Sequence, residues 1–131
     1  MRWIALSLLL TGCTLAHVNE PHRAGFAQIL IPRLESGEVA VHVFGVTSKR
    51  GVFSQLFTQA TSTSLASLSL SAGSYVLEVE CRRPGASVVL HGGIDFPISV
   101  QADAVYRLDC APTREPTYGY PENNFSLAPA A

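Results

Sequence analysis

Between residues 26 and 110 apolar and polar side chains alternate with a period of two, which predicts strands rather than helices. The clearest run is 75–81, where Tyr75, Leu77, Val79 and Cys81 fall on one face and Glu78 and Glu80 on the other. Gly73, just before it, supplies a turn. Residues 94–100 repeat the pattern with Ile94, Phe96, Ile98 and Val100 inward, and Pro97, which has no amide to donate, predicts an edge or bulged strand. In 105–110, Tyr106, Leu108 and Cys110 share a face opposite Val105, Arg107 and Asp109. Further strands are predicted over 26–31, 39–46, 52–57 and 65–70. Helix has little support: the Ser/Thr-rich stretch 58–74 has poor helix propensity, and no amphipathic 3.6-residue pattern occurs. About seven short strands separated by Gly, Pro and Ser turns predict an all-β chain, a small antiparallel β-sandwich.

The flanks read differently. Residues 14–25 are polar and without period, so 13–25 is expected to be a short tether. Residues 111–131 hold four of the eight prolines, Pro112, Pro116, Pro121 and Pro129, and cannot run as helix or central strand. A mostly unstructured tail is expected there, with Tyr118, Tyr120 and Phe125 available to pack part of it back. The folded domain is therefore placed at 26–110.

At the N-terminus Arg2 leads into the apolar run Trp3-Ile4-Ala5-Leu6-Ser7-Leu8-Leu9-Leu10, the layout of a secretory signal and too short to span a bilayer. The run ends in Leu10-Thr11-Gly12-Cys13, which resembles the lipobox of bacterial lipoproteins. That resemblance implies a signal peptide over 1–12, cleavage before Cys13, acylation of its thiol and a stable membrane anchor. Thr14, where an Asp would retain such a protein at the inner membrane, points to the outer one, facing the periplasm. The other reading is an ordinary signal peptide cut elsewhere, with Cys13 incidental. Cysteine arithmetic bears on the choice: three cysteines in an exported protein leave an odd thiol. Acylating Cys13 removes it and leaves Cys81 and Cys110, both on the apolar phase of their strands, as a possible disulfide. A two-cysteine metal site lacks the CxxC or Cys/His spacing that zinc requires.

Net charge is −1, and removal of Arg2 with the signal leaves eight basic against ten acidic residues. Such a balance excludes a nucleic-acid binder that works by neutralising phosphates. Lys49-Arg50 and Arg82-Arg83 are basic pairs of solvated turns. His17 and His22 lie in the tether with nothing else to hold a metal. His42 takes the outward phase of its strand and His91 precedes Gly92-Gly93; with Asp95 they form a conceivable site, but surface histidines are the plainer reading. Glu78 and Glu80 are expected to face solvent. There is no GxSxG, no phosphate-cradling Gly-rich loop and no free mature thiol, so no catalytic residue, cofactor, metal or small-molecule substrate is expected.

From Leu68 the chain reads Leu-Ser-Leu-Ser-Ala-Gly-Ser-Tyr-Val-Leu-Glu-Val-Glu-Cys, and later Phe96-Pro97-Ile98-Ser99-Val100-Gln101-Ala102-Asp103-Ala104-Val105-Tyr106-Arg107-Leu108. This resembles the pattern of PEGA-like and transthyretin-like small β-sandwiches of bacterial envelope lipoproteins, though the PEGA tetrapeptide is missing. The pattern is largely that of a hairpin, with Gly73 at the turn and Tyr75 and Tyr106 capping a core face. The resemblance implies an adhesive or scaffolding element rather than an enzyme, with an envelope protein as partner. Ser71-Ala72-Gly73-Ser74-Tyr75 is similar to the inhibitory loop of periplasmic lysozyme inhibitors of the C-type, with one extra residue between Ser and Gly and no basic residue before Tyr. The outer-membrane lipoprotein of type VI secretion is similar in size and anchoring, with no diagnostic motif matched. The expectation is thus a lipid-anchored, non-enzymatic envelope lipoprotein; the alternatives are a lysozyme-type hydrolase inhibitor and a secretion-system lipoprotein.

Overall fold

A computed structural model of the protein describes residues 15–33, 41–49, 53–81, 94–110 and 125–130, with Cys81 described by its backbone alone. These residues form nine strands and one short helix: β1 (Ala16–Val18), β2 (Phe26–Leu30), β3 (Val41–Ser48), β4 (Ser54–Leu56), α1 (Gln59–Ser64), β5 (Ser67–Ser71), β6 (Gly73–Cys81), β7 (Ile94–Val100), β8 (Val105–Cys110) and β9 (Phe125–Pro129). The strands build two sheets, one ordered β1-β5-β2-β8-β9 and the other β4-β3-β6-β7. Neighbours are antiparallel except β2 and β8, which run parallel with Ile29 opposite Tyr106. The fold is an all-β sandwich.

Alternation decides which side chains meet between the sheets. Ile29, Leu68, Leu70 and Leu108 from the five-stranded sheet face Val41, Val43, Val46, Leu77 and Val79 from the other, all essentially inaccessible to solvent. Burying an aliphatic side chain of this size stabilises the fold by roughly 1.5–3 kcal/mol. Between Val43 and Gly45 the β3/β6 register shifts by one residue. The bulge brings Gly45 opposite Leu56 at a close approach: a Cβ on Gly45 would sit 3.1 Å from the Gln55 carbonyl oxygen. Pro97 lies in β7, the edge of its sheet, as its missing amide predicts.

The seven predicted strands are present, with residues 39, 40 and 52 of two of them outside the described residues. Two more strands lie outside the expected 26–110 domain. β1 falls in the segment read as a tether and adds to the edge of β5, Ala16 opposite Leu70. β9 falls in the segment read as a tail and pairs with β8, Phe125 opposite Cys110; Phe125 is buried and its ring packs on Phe96, centroids 5.8 Å apart.

Helix α1 is also unforeseen. Thr58 caps it, Oγ1 accepting from the Thr61 amide at 3.2 Å, and Ser62, Thr63 and Ser64 each donate a hydroxyl to a carbonyl of the preceding turn. The same Ser and Thr residues that lower intrinsic propensity thus close a single short helix. It carries the chain from β4 of one sheet to β5 of the other and buries Ser62, with Leu65 buried directly after it.

The turn at 71–73 also differs from the expected hairpin. β5 and β6 belong to different sheets, so Ser71-Ala72-Gly73 is a crossing between layers. Gly73 takes φ +153°, and the Tyr75 hydroxyl reaches back to donate to the Ser71 carbonyl at 2.8 Å, with Ser71 Oγ 2.9 Å away. A tyrosine tied to backbone a few residues upstream is how a sandwich locks a change of layer.

Candidate functional site

Two adjoining clefts open at the end of the sandwich where β3 turns and β5 crosses to β6. One, of about 470 Å³, is lined by Leu15, Ser48, Lys49, Ala72, Gly73, Ser74 and Tyr75. The other, of about 190 Å³, shares Lys49, Ser74 and Tyr75 and extends along Val76, Pro97, Ile98 and Ser99. Backbone bonds position the shared residues: the Lys49 amide donates to the Ser74 carbonyl at 3.0 Å, and the Ser48 amide to the Phe53 carbonyl at 2.9 Å. Lys49 and Phe53 are exposed beside this opening, Phe53 at 53%.

Chemically the clefts offer one ammonium, several hydroxyls and an apolar floor. Ser74 Oγ is hydrogen bonded to Ser99 Oγ at 2.9 Å, and among the described residues no histidine or carboxylate lines either cleft. A serine nucleophile needs an adjacent base. The arrangement suits holding an anionic or amphipathic group rather than activating a hydroxyl.

The segment leading to this end is secured side chain by side chain. The Gln55 amide spans from one sheet to the other: Oε1 accepts from Leu15 and Ala16 amides at 3.1 and 2.9 Å, and Nε2 donates to the Ala16 carbonyl at 3.1 Å. Asn19, at φ 55°, accepts from the Ala66 and Ser67 amides at 2.6 and 3.1 Å and donates to the Ser64 carbonyl at 3.0 Å. Glu20 pairs with Arg23 at 3.0 Å, and the Gly25 amide donates to Asp103 at 2.6 Å. Asn and Asp are the residues best suited to positive φ, which Asn19 and Asp103 both adopt. That composition was the readable signal for these two; nothing in the pattern marked Gln55.

The sequence-predicted residues are dispersed. Cys13, His91 and the pair Arg82-Arg83 lie outside the described residues, as does Arg50. Cys110 is disulfide-bonded, while the side chain of Cys81 is outside the description. His17 meets Glu20 at 3.6 Å and the edge of the Phe26 ring at 6.0 Å; His22 Nε2 lies 2.9 Å from the Phe26 carbonyl oxygen. His42 is buried, not on the surface, stacked on Phe44 and directly opposite Glu80. Glu80 is buried too, against the expectation of two solvent-facing glutamates, whereas Glu78 is exposed. Asp95 is exposed on β7 opposite Glu78. It stands two strands and two residues from His42, roughly 12 Å by strand spacing and rise. Among the described residues no cluster of three His, Cys, Asp or Glu side chains could hold a metal ion, and no helix is long and apolar enough to cross a membrane.

The chain matches no protein-family model, no curated protein and no solved structure.

Proposed function

We propose that the protein is a lipid-anchored, non-enzymatic β-sandwich of the bacterial envelope, held by acyl chains on Cys13 and binding or scaffolding another envelope component. The observation that carries this reading is the disulfide of Cys110 together with the position of Cys13. Ala16 is opposite Leu70, Leu70 opposite Ala27, and Gln28 opposite Val105, so Ala16 is level with Ala104, three strands away. Cys110 is six residues further along, which places it roughly 24 Å from Ala16. Three residues from Ala16 back to Cys13 reach about 11 Å at most, and a disulfide needs Cα atoms within about 7 Å.

Cys81 is therefore the partner of Cys110 in this proposal. β6 starts and β8 starts at the Lys49 end of the sandwich, so Cys81 and Cys110 close their strands together at the far end, one in each sheet. A bonded cysteine fits an oxidising compartment, and the remaining thiol, Cys13, is the one in the lipobox-like tetrapeptide. Acylation accounts for it. Thr14 after it favours the outer membrane.

The lysozyme-inhibitor reading has less support. It needs the 71–75 segment to project into an enzyme cleft, whereas Tyr75 is buried and its hydroxyl is bound to Ser71.

Metabolic labelling with an alkyne fatty acid, followed by membrane fractionation, tests the proposal. Labelled protein in the membrane fraction is expected, with Cys13→Ser losing both label and membrane association. Unlabelled wild-type protein in the soluble periplasm would overturn it.

A further inference from the structure

The cleft at the Lys49 end is also where the chain runs out of the described residues toward Cys13. Leu15 lines that cleft, and it already packs against the core. Only Thr14 separates it from Cys13, so the two Cα atoms lie within about 7 Å. Resting on the lipid-anchor reading above, we propose that this end of the sandwich docks directly on the phospholipid surface, with Lys49 on the headgroup phosphates and the Phe53 ring at the headgroup boundary.

The geometry leaves the domain little room to do otherwise. A free tether of a dozen residues would let it drift some tens of ångströms from the bilayer. That tether does not exist as such, because β1, the Gln55 clamp and Asn19 build residues 15–19 into the domain. The end nearest the anchor then carries the side chains that suit an interface. Phe53 is 53% exposed, and Lys49 is the one charged residue among the described residues of the cleft lining. Aromatic rings and snorkelling lysines collect at the headgroup level, where an apolar body and a charged tip are both satisfied. The nearby acidic group, Asp103, sits on the β2 and β8 side of this end and accepts from the Gly25 amide. Leu30, another exposed large apolar residue, marks the opposite end: it pairs with Ser67 and Arg107, four residues beyond the Phe26–Ser71 pair.

That opposition supplies the control. The full chain carries a single tryptophan, Trp3. Cleavage before Cys13 removes it, so Phe53→Trp and Leu30→Trp each place the one indole of the lipidated protein at an exposed position at one end. Both lipidated variants are reconstituted into phosphatidylethanolamine and phosphatidylglycerol vesicles containing brominated phosphatidylcholine, floated on a gradient, and their fluorescence quenching compared. The indole of Phe53→Trp is expected to be quenched roughly twofold or more relative to Leu30→Trp, as for a ring lying 5–10 Å into the boundary. Adding Lys49→Glu should reduce that quenching on the same floated vesicles. Equal quenching at the two ends, with the protein co-floating, overturns the docking and leaves the anchor standing; a protein partner covering this end would give that result. Failure to float overturns the anchor reading and the docking with it.

Discussion

The side-chain amide of Gln55 makes three hydrogen bonds to the backbone around Ala16, accepting from its amide and that of Leu15 and donating to its carbonyl. Gln55 lies in β4, an edge of the four-stranded sheet, and Ala16 in β1, an edge of the five-stranded one. One glutamine thereby closes the open side of the sandwich, much as a further strand pair would. Gln55→Ala leaves those backbone groups without protein partners and is expected to cost about 1–3 kcal/mol. Hydrogen exchange should show the Leu15 and Ala16 amides opening much faster, while amides in β6 change only with global stability.

Tyr75 locks the crossing between the sheets through Ser71. Tyr75→Phe keeps the buried ring and removes the hydroxyl, so thermal unfolding should report a loss of about 1 kcal/mol, the typical net value of one such bond. Ser71→Ala should cost less, since the Ser71 carbonyl still accepts from Tyr75.

Ser69 presents the opposite case. It alternates with Leu68 and Leu70, yet its outward face is fully buried, with His17 and Gln28 opposite it in the neighbouring strands. Its Oγ meets no hydrogen-bond partner among the described residues. Ser69→Ala removes a buried polar atom and is expected to be neutral or to stabilise the fold by up to about 1 kcal/mol, measured by denaturant midpoint at unchanged m-value.

Pairing of Cys81 with Cys110 predicts a particular pattern of non-additivity. Closing a loop of about 30 residues stabilises by roughly 3.5 kcal/mol on chain entropy. Cys81→Ala and Cys110→Ala should each lose most of that, and the double variant no more than either single one. Non-reducing mass spectrometry of the wild-type protein should show the linked peptides directly; two alkylatable thiols at these positions would rule the pairing out.

Much of this architecture was legible because strand faces are a local property. Alternation at 75–81, 94–100 and 105–110 marked strands that the structure contains, and Pro97 marked an edge. The period alone could not say that β3 and β5 are buried on both faces, since what covers a strand's outer side comes from elsewhere in the chain. His42 and Glu80, expected to face outward, are buried because of such cover, and Ser69 is buried in the same way. The short strands β1 and β9 were missed because three or five residues among prolines and polar neighbours carry too little pattern; pairing with β5 and β8 orders them. Helix α1 was missed because hydroxyls that disfavour helix in isolation can cap and close one that the two sheets hold in place.

For function the division is similar. The sequence by itself determined the strand faces and marked Cys13 as a candidate for acylation, because each is written in neighbouring residues. Only the tertiary structure decided that residues 15–19 are part of the sandwich, that Lys49, Phe53 and Leu15 share one end, and that Cys110 is far from Ala16. Those are distances between residues remote in sequence, set by register and layer crossing rather than by any local pattern.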